Sequence, residues 1–265
     1  MKRRTKVLLI ISLLLLGFVG WDAGHSLLYQ HRLSTLHARQ THTATVFIGG
    51  YGSNAKAFDQ MTTHWQRAGI ASHRELVRIN HRGQLSFSGD RRPSTNYLVQ
   101  LAFADNRDPA AQIRLLPKIM HELRTRQHIT EVNFVTHSMG GGIAYSYLVT
   151  NHHDAQPQVR HLVAIASPFA TINSNTSIAH RYNRYLKRAA DLPRNLKILA
   201  IGGNVWGLGT DTEVSVAGVK ALRPLAVQYV QTYQQHIING DILSVQHSAL
   251  RSNPEVIWQT AQFLF

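Results

Sequence analysis

The segment from Glu131 to Gly142 constrains the fold more than any other part of the chain. It reads Glu-Val-Asn-Phe-Val-Thr-His-Ser-Met-Gly-Gly-Gly, so an apolar run leads directly into Ser138 and then into consecutive glycines. A short apolar, β-branched run predicts a buried strand, and small residues after it allow a sharp turn into a helix. The pattern therefore predicts a strand, a strained turn that presents Ser138, and a helix that begins near Gly140.

This arrangement is typical of the turn that holds the nucleophile of serine hydrolases, whose usual sequence is G-x-S-x-G. The chain has Thr136-His137-Ser138-Met139-Gly140, in which Thr136 replaces the first glycine. A simpler interpretation of such a partial match is a serine near a helix N-cap. A nucleophilic serine also needs a base, a carboxylate that orients the base, and amide donors for an oxyanion, so the rest of the sequence has to supply them.

Strand and helix patterns alternate along the chain after residue 43. Strands are predicted at 44–48, 75–88, 96–104, 132–136, 159–166, 197–201 and 227–238. Helices are predicted at 54–68, 109–126, 140–150 and 254–264. Alternation of this kind predicts an α/β fold with a mainly parallel central sheet and helices on both faces.

Residues 170–195 do not continue the alternation. The segment is polar at first and then carries arginine and lysine side chains interleaved with Tyr182, Tyr185 and Leu186. Two interpretations stay open: a solvated surface helix whose charges have no specific role, and a small cap over the functional site.

The N-terminus has the layout of an export signal. Basic residues at positions 2, 3, 4 and 6 precede an uncharged apolar run from Val7 to Trp21. No pair of small residues forms an A-x-A-like cleavage site near its end, which favours an anchor over a cleaved signal, although secretion after cleavage stays open. We expect residues 1–24 to be this signal or anchor segment, 25–42 a linker, and 43–265 one domain outside the cell membrane.

Composition excludes several kinds of site and favours certain partners. The chain has no cysteine, which excludes disulfides, thiolate metal sites and a cysteine nucleophile. A formal net charge of +14 favours contact with anionic lipids or acidic envelope polymers. Nucleic acid is not an expected partner, because the basic residues are scattered and no nucleic-acid-binding motif occurs. No cofactor is expected, because Gly49-Gly50-Tyr51-Gly52 lacks dinucleotide-binding spacing, and no metal site is expected at His152-His153-Asp154.

His247 and Asp211 are the residues best placed in the sequence to activate Ser138. His247 lies on a loop before the last predicted helix, from which an imidazole can reach the carboxyl ends of the strands. Asp211 follows a buried strand on a glycine-rich loop, where an aspartate is also typical of a simple turn. Glu213 and Asp241 are alternative carboxylates.

Two backbone amides are candidate donors for an oxyanion. Met139 is expected to begin the helix after the serine, at its positive end, and Tyr51 lies in the glycine-rich turn after the first strand. Gly50 and Gly140 are expected to support these two turns, because a residue without a side chain lets a sharp turn close. His137 is adjacent to the serine, and we expect its side chain to point away from the site.

From Ala44 to the C-terminus the chain resembles the α/β-hydrolase superfamily, and more narrowly the uncharacterised cell-surface hydrolases of Gram-positive bacteria. The resemblance is carried, in order, by Phe47-Ile-Gly-Gly-Tyr-Gly-Ser53, Thr136-His-Ser-Met-Gly-Gly141, Ser167-Pro-Phe169, Gly209-Thr-Asp211 with Val214, and His247-Ser-Ala-Leu250 with Asn253-Pro-Glu-Val256. It implies a triad of Ser138, Asp211 and His247. The chain departs from the pattern at Gly49, where many relatives have histidine, at Thr136, and at Ser215, where a proline often follows the acid loop.

These observations lead to the hypothesis of a carboxylesterase-like or lipase-like serine hydrolase that cleaves a small-molecule or lipid ester through an acyl-enzyme. One alternative is an acyltransferase that uses the same triad. The other is a catalytically silent hydrolase-fold protein that binds an anionic envelope ligand through its basic surface.

Overall fold

The computed structural model of the chain describes residues 23–89, 95–150, 156–170 and 177–265, together with Ser12 and Gly20. The predictions for most of residues 1–24, for His152-His153-Asp154 and for the start of the 170–195 segment lie outside these residues. The strands are β1 (Ala44–Ile48), β2 (Arg74–Ile79), β3 (Leu85–Gly89), β4 (Leu98–Phe103), β5 (Glu131–His137), β6 (Gln158–Ile165), β7 (Lys197–Val205) and β8 (Thr232–Gly240). The helices are α1 (23–34), α2 (Asp59–Arg67), α3 (Pro109–Gln127), α4 (Met139–Leu148), α5 (Ser177–Arg188), α6 (Val216–Lys220), α7 (Leu222–Ala226), α8 (Ile242–Val245) and α9 (Pro254–Leu264).

The strands form one sheet in the order β3-β2-β4-β1-β5-β6-β7-β8. Every neighbouring pair is parallel except β2 and β3, which are antiparallel. The carboxyl ends of the parallel strands therefore share one edge of the sheet, which we call the carboxyl edge. The prediction of an α/β fold with a mainly parallel sheet is confirmed.

The central strands β1, β4, β5, β6 and β7 are buried on both faces of the sheet, and each supplies side chains to both cores. In β1, Val46 and Ile48 face one core with side chains of α3, α4 and α7. Phe47 faces the opposite core with side chains of α1, α2 and α9. Burial on both faces explains why the central strands read as continuous apolar runs in the sequence.

The predicted strand 75–88 is wrong in one respect, because it is a hairpin of β2 and β3. Asn80 forms the turn: its side-chain oxygen accepts hydrogen bonds from the backbone N–H groups of Arg82 and Gln84, both at 2.9 Å. Gly83 adopts a left-handed φ of 70° in the same turn. Asparagine and glycine are typical of such turns, so Asn80 and Gly83 were the local signal for a hairpin. The strand prediction followed the alternation of side chains on either side of the turn instead.

The strand predicted at 227–238 starts five residues too early. Residues 227–231 form a turn after a helix, and the observed strand follows that turn. Residues 222–226 form α7, in which Leu222 and Leu225 are fully buried, and β8 starts only at Thr232. The apolar residues between Leu222 and Val230 fit a buried helix followed by a turn as well as they fit a strand, so periodicity alone does not separate the two structures.

The segment predicted as a linker contains α1, which packs along α9. Near its start the His25 imidazole lies 3.5 Å from the Glu255 carboxylate, and further on the Tyr29 ring lies 5.5 Å from the Trp258 ring. After the helix, the Arg39 N–H donates to the carbonyl of Phe265 at 2.8 Å. The two helices therefore run in the same direction, and α1 starts at the carboxyl edge. Among the residues that the structure describes, no helix is both long and apolar enough to cross a bilayer.

Trp65 is the largest fully buried side chain of the core that includes α2 and α9. Its ring packs against Phe47 and Phe265, and its Nε1–H donates to the Ile257 carbonyl at 3.2 Å. We expect Trp65→Ala to lower the free energy of unfolding by about 3–5 kcal/mol. Trp206→Ala is the matched control, since Trp206 is 65% exposed, and should change it by less than about 0.5 kcal/mol. Urea unfolding followed by circular dichroism measures both, and equal losses would contradict this assignment of the core.

Candidate active site

Ser138 occupies a strained turn between β5 and α4. Its backbone angles are φ 54° and ψ −124°, a conformation that side-chain-bearing residues rarely adopt. The turn closes because glycines follow it: a Cβ at Gly140 would lie 2.4 Å from the Ile48 carbonyl oxygen, and one at Gly141 would lie 2.3 Å from Ser167 Oγ. The sharp turn predicted from the sequence is thus present, and it leaves Ser138 partly exposed at the carboxyl edge.

Two departures from the family pattern are accommodated locally. Thr136 is fully buried under the turn, and its hydroxyl donates to the Val163 carbonyl of the neighbouring strand at 3.0 Å. At Gly49, an added Cβ would lie 2.1 Å from Ser53 Oγ, so Ser53 occupies the space that a side chain at 49 would need. Neither departure displaces the serine.

Asp211 and His247 are brought together as a buried pair at the carboxyl edge. The His247 Nδ1–H donates to Asp211 Oδ2 at 2.9 Å, and the residues are 3% and 1% exposed, respectively. The other Asp211 oxygen accepts the N–H groups of Glu213 and Val214, and the Asp211 carbonyl accepts the His247 N–H at 2.7 Å. Because Nδ1 carries the proton in this bond, Nε2 is the nitrogen that is left with a lone pair.

The two alternative carboxylates have different positions. Glu213 is exposed, and its carboxylate lies 3.6 Å from His247 Nε2, on the opposite side of the ring from Asp211. Asp241 accepts the N–H groups of Leu243 and Ser244 and so caps α8. Only Asp211 is buried and bonded to Nδ1, as an orienting carboxylate has to be.

Ser215, the third departure, supports the acid loop as a helix cap. Its hydroxyl accepts the Gly218 N–H at 3.0 Å at the start of α6. Thr212, directly after Asp211, has a left-handed φ of 88°. The loop is therefore held in one conformation by capping and by its own hydrogen bonds, at some cost in backbone strain.

The expectation that His137 points away from the site is wrong. Its Nε2–H donates to the His247 carbonyl at 2.9 Å, and the two ring centroids lie 4.5 Å apart. Burial holds the pKa of His137 well below 6.5, and the neighbouring charges of His247 and Arg251 lower it further. His137 is thus a neutral ring that supports the backbone and the ring of His247 from below.

Gly203 in β7 is a contributor that the sequence analysis missed. A Cβ at this position would lie 2.3 Å from the Val245 carbonyl oxygen and 2.9 Å from Asp211 Cβ. The loops that carry Asp211 and His247 therefore meet over a glycine. The only sequence signal was a glycine inside an apolar strand, which is typical of close backbone approach.

The turn after β1 lies against Ser138. A Cβ at Gly50 would lie 2.8 Å from Ser138 Cβ, and the turn is closed by the Ser53 N–H, which donates to the Gly50 carbonyl at 3.2 Å. Met139 begins α4, so its N–H has no acceptor within that helix. The amides of Tyr51 and Met139 stay the candidate oxyanion donors.

The described part of the 170–195 segment packs against the helix that follows Ser138. The Tyr185 hydroxyl of α5 donates to the Gly142 carbonyl at 2.6 Å and lies 2.9 Å from Ser146 Oγ. Its ring lies 4.5 Å from that of Tyr145. The α5 helix therefore supports α4, and a role as a cap stays a prediction.

In the described ranges, no cluster of three or more histidine or carboxylate side chains is arranged to hold a metal ion.

Comparison with known proteins places the fold among hydrolases. Residues 34–265 match the family described as alpha/beta hydrolase of unknown function (DUF915). The structure of a gene product of Listeria innocua superposes with a TM-score of 0.77 at 24% identity, covering 84% of this chain and 93% of that one. A protein of Lactobacillus plantarum proposed to be a cell surface hydrolase gives 0.72 at 20% identity, covering 84% and 91%. The Pyrococcus furiosus esterase Pf2001 gives 0.52 at 12%, covering 84% and 80%. At these identities the solved structures bear on the fold alone, and no curated protein matches the chain significantly.

We expect acid to destabilise the protein through His137. Because the folded-state pKa is lowered, the unfolded chain binds a proton below about pH 6.5 that the folded chain excludes, so the free energy of unfolding falls with falling pH. The slope is at most about 1.4 kcal/mol per pH unit for one proton. His161, whose pKa burial lowers to about 4, acts in the same direction.

Urea unfolding of the wild type and of His137→Gln at about pH 7 and about pH 5.5 measures the effect. Glutamine keeps an N–H donor for the His247 carbonyl but does not titrate, so the variant should lose less stability between the two values. His121→Gln, at an exposed position, is the control and should behave like the wild type. An unchanged pH dependence in His137→Gln would show that His137 is not the source.

Proposed function

The chain belongs to the alpha/beta hydrolases of unknown function, and from that premise we propose that it is a serine hydrolase that cleaves carboxylic esters. Ser138 is the nucleophile, His247 the general base and Asp211 the carboxylate that orients it. One observation carries the proposal: a serine in a strained strand-to-helix turn shares the carboxyl edge with a buried imidazole–carboxylate pair.

In the first half of the reaction, Ser138 Oγ forms a bond to the acyl carbon while its proton passes to His247 Nε2. The carbonyl oxygen becomes an oxyanion, which accepts the N–H groups of Met139 and Tyr51. The bond to the leaving alcohol then breaks, and the alcohol takes the proton from Nε2. The product is an acyl-enzyme on Ser138.

In the second half, water replaces the alcohol. His247 Nε2 accepts a proton from the water as its oxygen attacks the acyl carbon, and the bond to Ser138 Oγ then breaks as Oγ regains a proton. Asp211 stabilises the imidazolium in both halves and keeps Nδ1 as the protonated nitrogen. The two hydrogen bonds to the other oxygen of Asp211 hold the carboxylate still for this role.

We also propose that the enzyme acts outside the cell membrane, held there by residues 1–24. The basic start and the apolar run from Val7 to Trp21 support export, and the net charge of +14 supports attraction to an anionic surface. The Lactobacillus plantarum neighbour, proposed to be a cell surface hydrolase, is consistent with this location.

We expect a fluorophosphonate to label the purified full chain at Ser138, because such reagents capture an activated serine. Peptide mapping locates the label, and Ser138→Ala and His247→Ala should each abolish it. Ser88→Ala, at an exposed serine of β3, is the control and should label fully. Labelling that persists in Ser138→Ala would overturn the assignment of the nucleophile. Addition of an alcohol acceptor during ester turnover separates hydrolysis from acyl transfer.

The roles of the two carboxylates near His247 can be separated by neutral isosteres. Asp211→Asn keeps the shape of the loop but removes the charge beside Nδ1, and we expect kcat for a soluble nitrophenyl ester to fall by about 10⁴-fold. Glu213→Gln removes an exposed charge on the Nε2 side and should change kcat by less than about threefold. A large loss in Glu213→Gln with little loss in Asp211→Asn would reverse the assignment.

A further inference from the structure

Large apolar side chains are exposed beside the candidate site. Trp206 is 65% exposed, Leu208 71%, Ile242 43% and Leu243 76%. We call these four residues the apolar rim. Trp206 and Leu208 lie in the turn that leads into Asp211, whereas Ile242 and Leu243 begin the short helix that leads to His247. The rim is thus carried by the two loops that hold the acid and the base.

The two halves of the rim are joined at the end of the sheet. Val205 pairs with Gly240, and the Trp206 N–H donates to the Gly240 carbonyl at 2.8 Å. The turn is closed further by the Val205 N–H, which donates to the Thr210 carbonyl at 2.8 Å. Trp206 itself has a left-handed φ of 49°. The turn thus holds Trp206 in a strained conformation with its indole 65% exposed.

The chain enters the domain at the same place. His25 and Ser26, in α1, line a crevice together with Leu243 and Ser244. Leu27 and Leu28 of the same helix are 65% and 46% exposed. In the sequence, the apolar run from Val7 to Trp21 directly precedes this point. On the proposal above that this run is a membrane anchor, the bilayer lies next to the rim.

We propose that the apolar rim docks on the surface of a lipid bilayer, so that the carboxyl edge with Ser138 faces the lipid. Tryptophan and aliphatic side chains favour the membrane–water interface, where an indole keeps its polar N–H hydrated. The net charge of +14 favours a bilayer that contains anionic lipids. The inference goes beyond the proposed function, because it names an interaction surface and does not depend on the reactivity of Ser138.

The absence of cysteine in the sequence makes a direct test available, because one introduced cysteine can be labelled uniquely. The full chain carrying Leu208→Cys or Leu243→Cys is labelled with a small environment-sensitive fluorophore and reconstituted into vesicles of phosphatidylglycerol and phosphatidylcholine. Thr130→Cys is the matched control, since Thr130 is exposed directly before β5, at the opposite edge of the sheet. Quenching by lipids with a nitroxide near the headgroup is compared with quenching by aqueous iodide.

Docking predicts that the labels at 208 and 243 are quenched several-fold more by lipid nitroxide than the label at 130, with the opposite order for iodide. In a Trp206→Ser, Leu208→Ser double variant, whose side chains are exposed and outside the core, the lipid quenching of the label at 243 should fall severalfold and its iodide quenching should rise, although residues 1–24 still hold the chain on the vesicles. Iodide quenching at all three positions would overturn the proposal. Labels at 208 and 243 shielded from both quenchers would overturn it as well, because another part of the chain or a second copy would then cover the rim.

Discussion

The candidate site depends on how closely backbone segments approach one another at the carboxyl edge. Ser138 takes its left-handed conformation because no side chain at Gly140 opposes the end of β1 and none at Gly50 opposes the serine itself. A similar contact over Gly203 brings the acid loop and the histidine loop together. Each approach requires the absence of a Cβ atom, so the turn of Ser138 and the loops of Asp211 and His247 can take these positions only with glycine at 50, 140 and 203.

Burial also determines the protonation state of the histidine that lies beneath His247. His137, enclosed beneath His247, is kept neutral, so its N–H serves as a fixed donor to the His247 carbonyl. Asp211 has its two oxygens bound by separate donors, one group from its own loop and one from His247. His247 Nδ1 is bonded to Asp211, so in the reaction that we propose above Nε2 is the nitrogen left for proton transfer. This arrangement follows from burial and hydrogen bonding.

Much of this arrangement could be predicted from the sequence, because it depends on local patterns. The apolar run before Ser138, the glycines after it and the alternation of strands and helices led to the observed fold, and the resemblance to α/β hydrolases is confirmed. Asp211 and His247 were named as partners and lie together, although their catalytic roles stay predictions. The hairpin at Asn80 was missed because side-chain alternation continues on both sides of a tight turn.

Other features could not be predicted, because they depend on which residues the tertiary structure buries. With 16 histidines in the chain, nothing in the sequence distinguished the buried ring of His137 from surface histidines. The exposure of Trp206 is likewise a tertiary property, since a tryptophan is more often at least partly buried. In the same way, the weak helical patterning of residues 25–42 does not reveal in the sequence that α1 packs on α9.

The packing of α1 on α9 also sets how far the active site can travel from its attachment point. A free linker of residues 25–42, fully extended, would span roughly 60 Å and would let the domain sample substrates over that radius. Because α1 is fixed along the domain, that reach is lost. Under the anchoring by residues 1–24 that we propose above, the candidate site works at a constant, short height above the bilayer. The same proposal then limits the substrates by distance: esters attached deep within a thick envelope polymer would lie out of range, whereas esters at the membrane surface would lie within it.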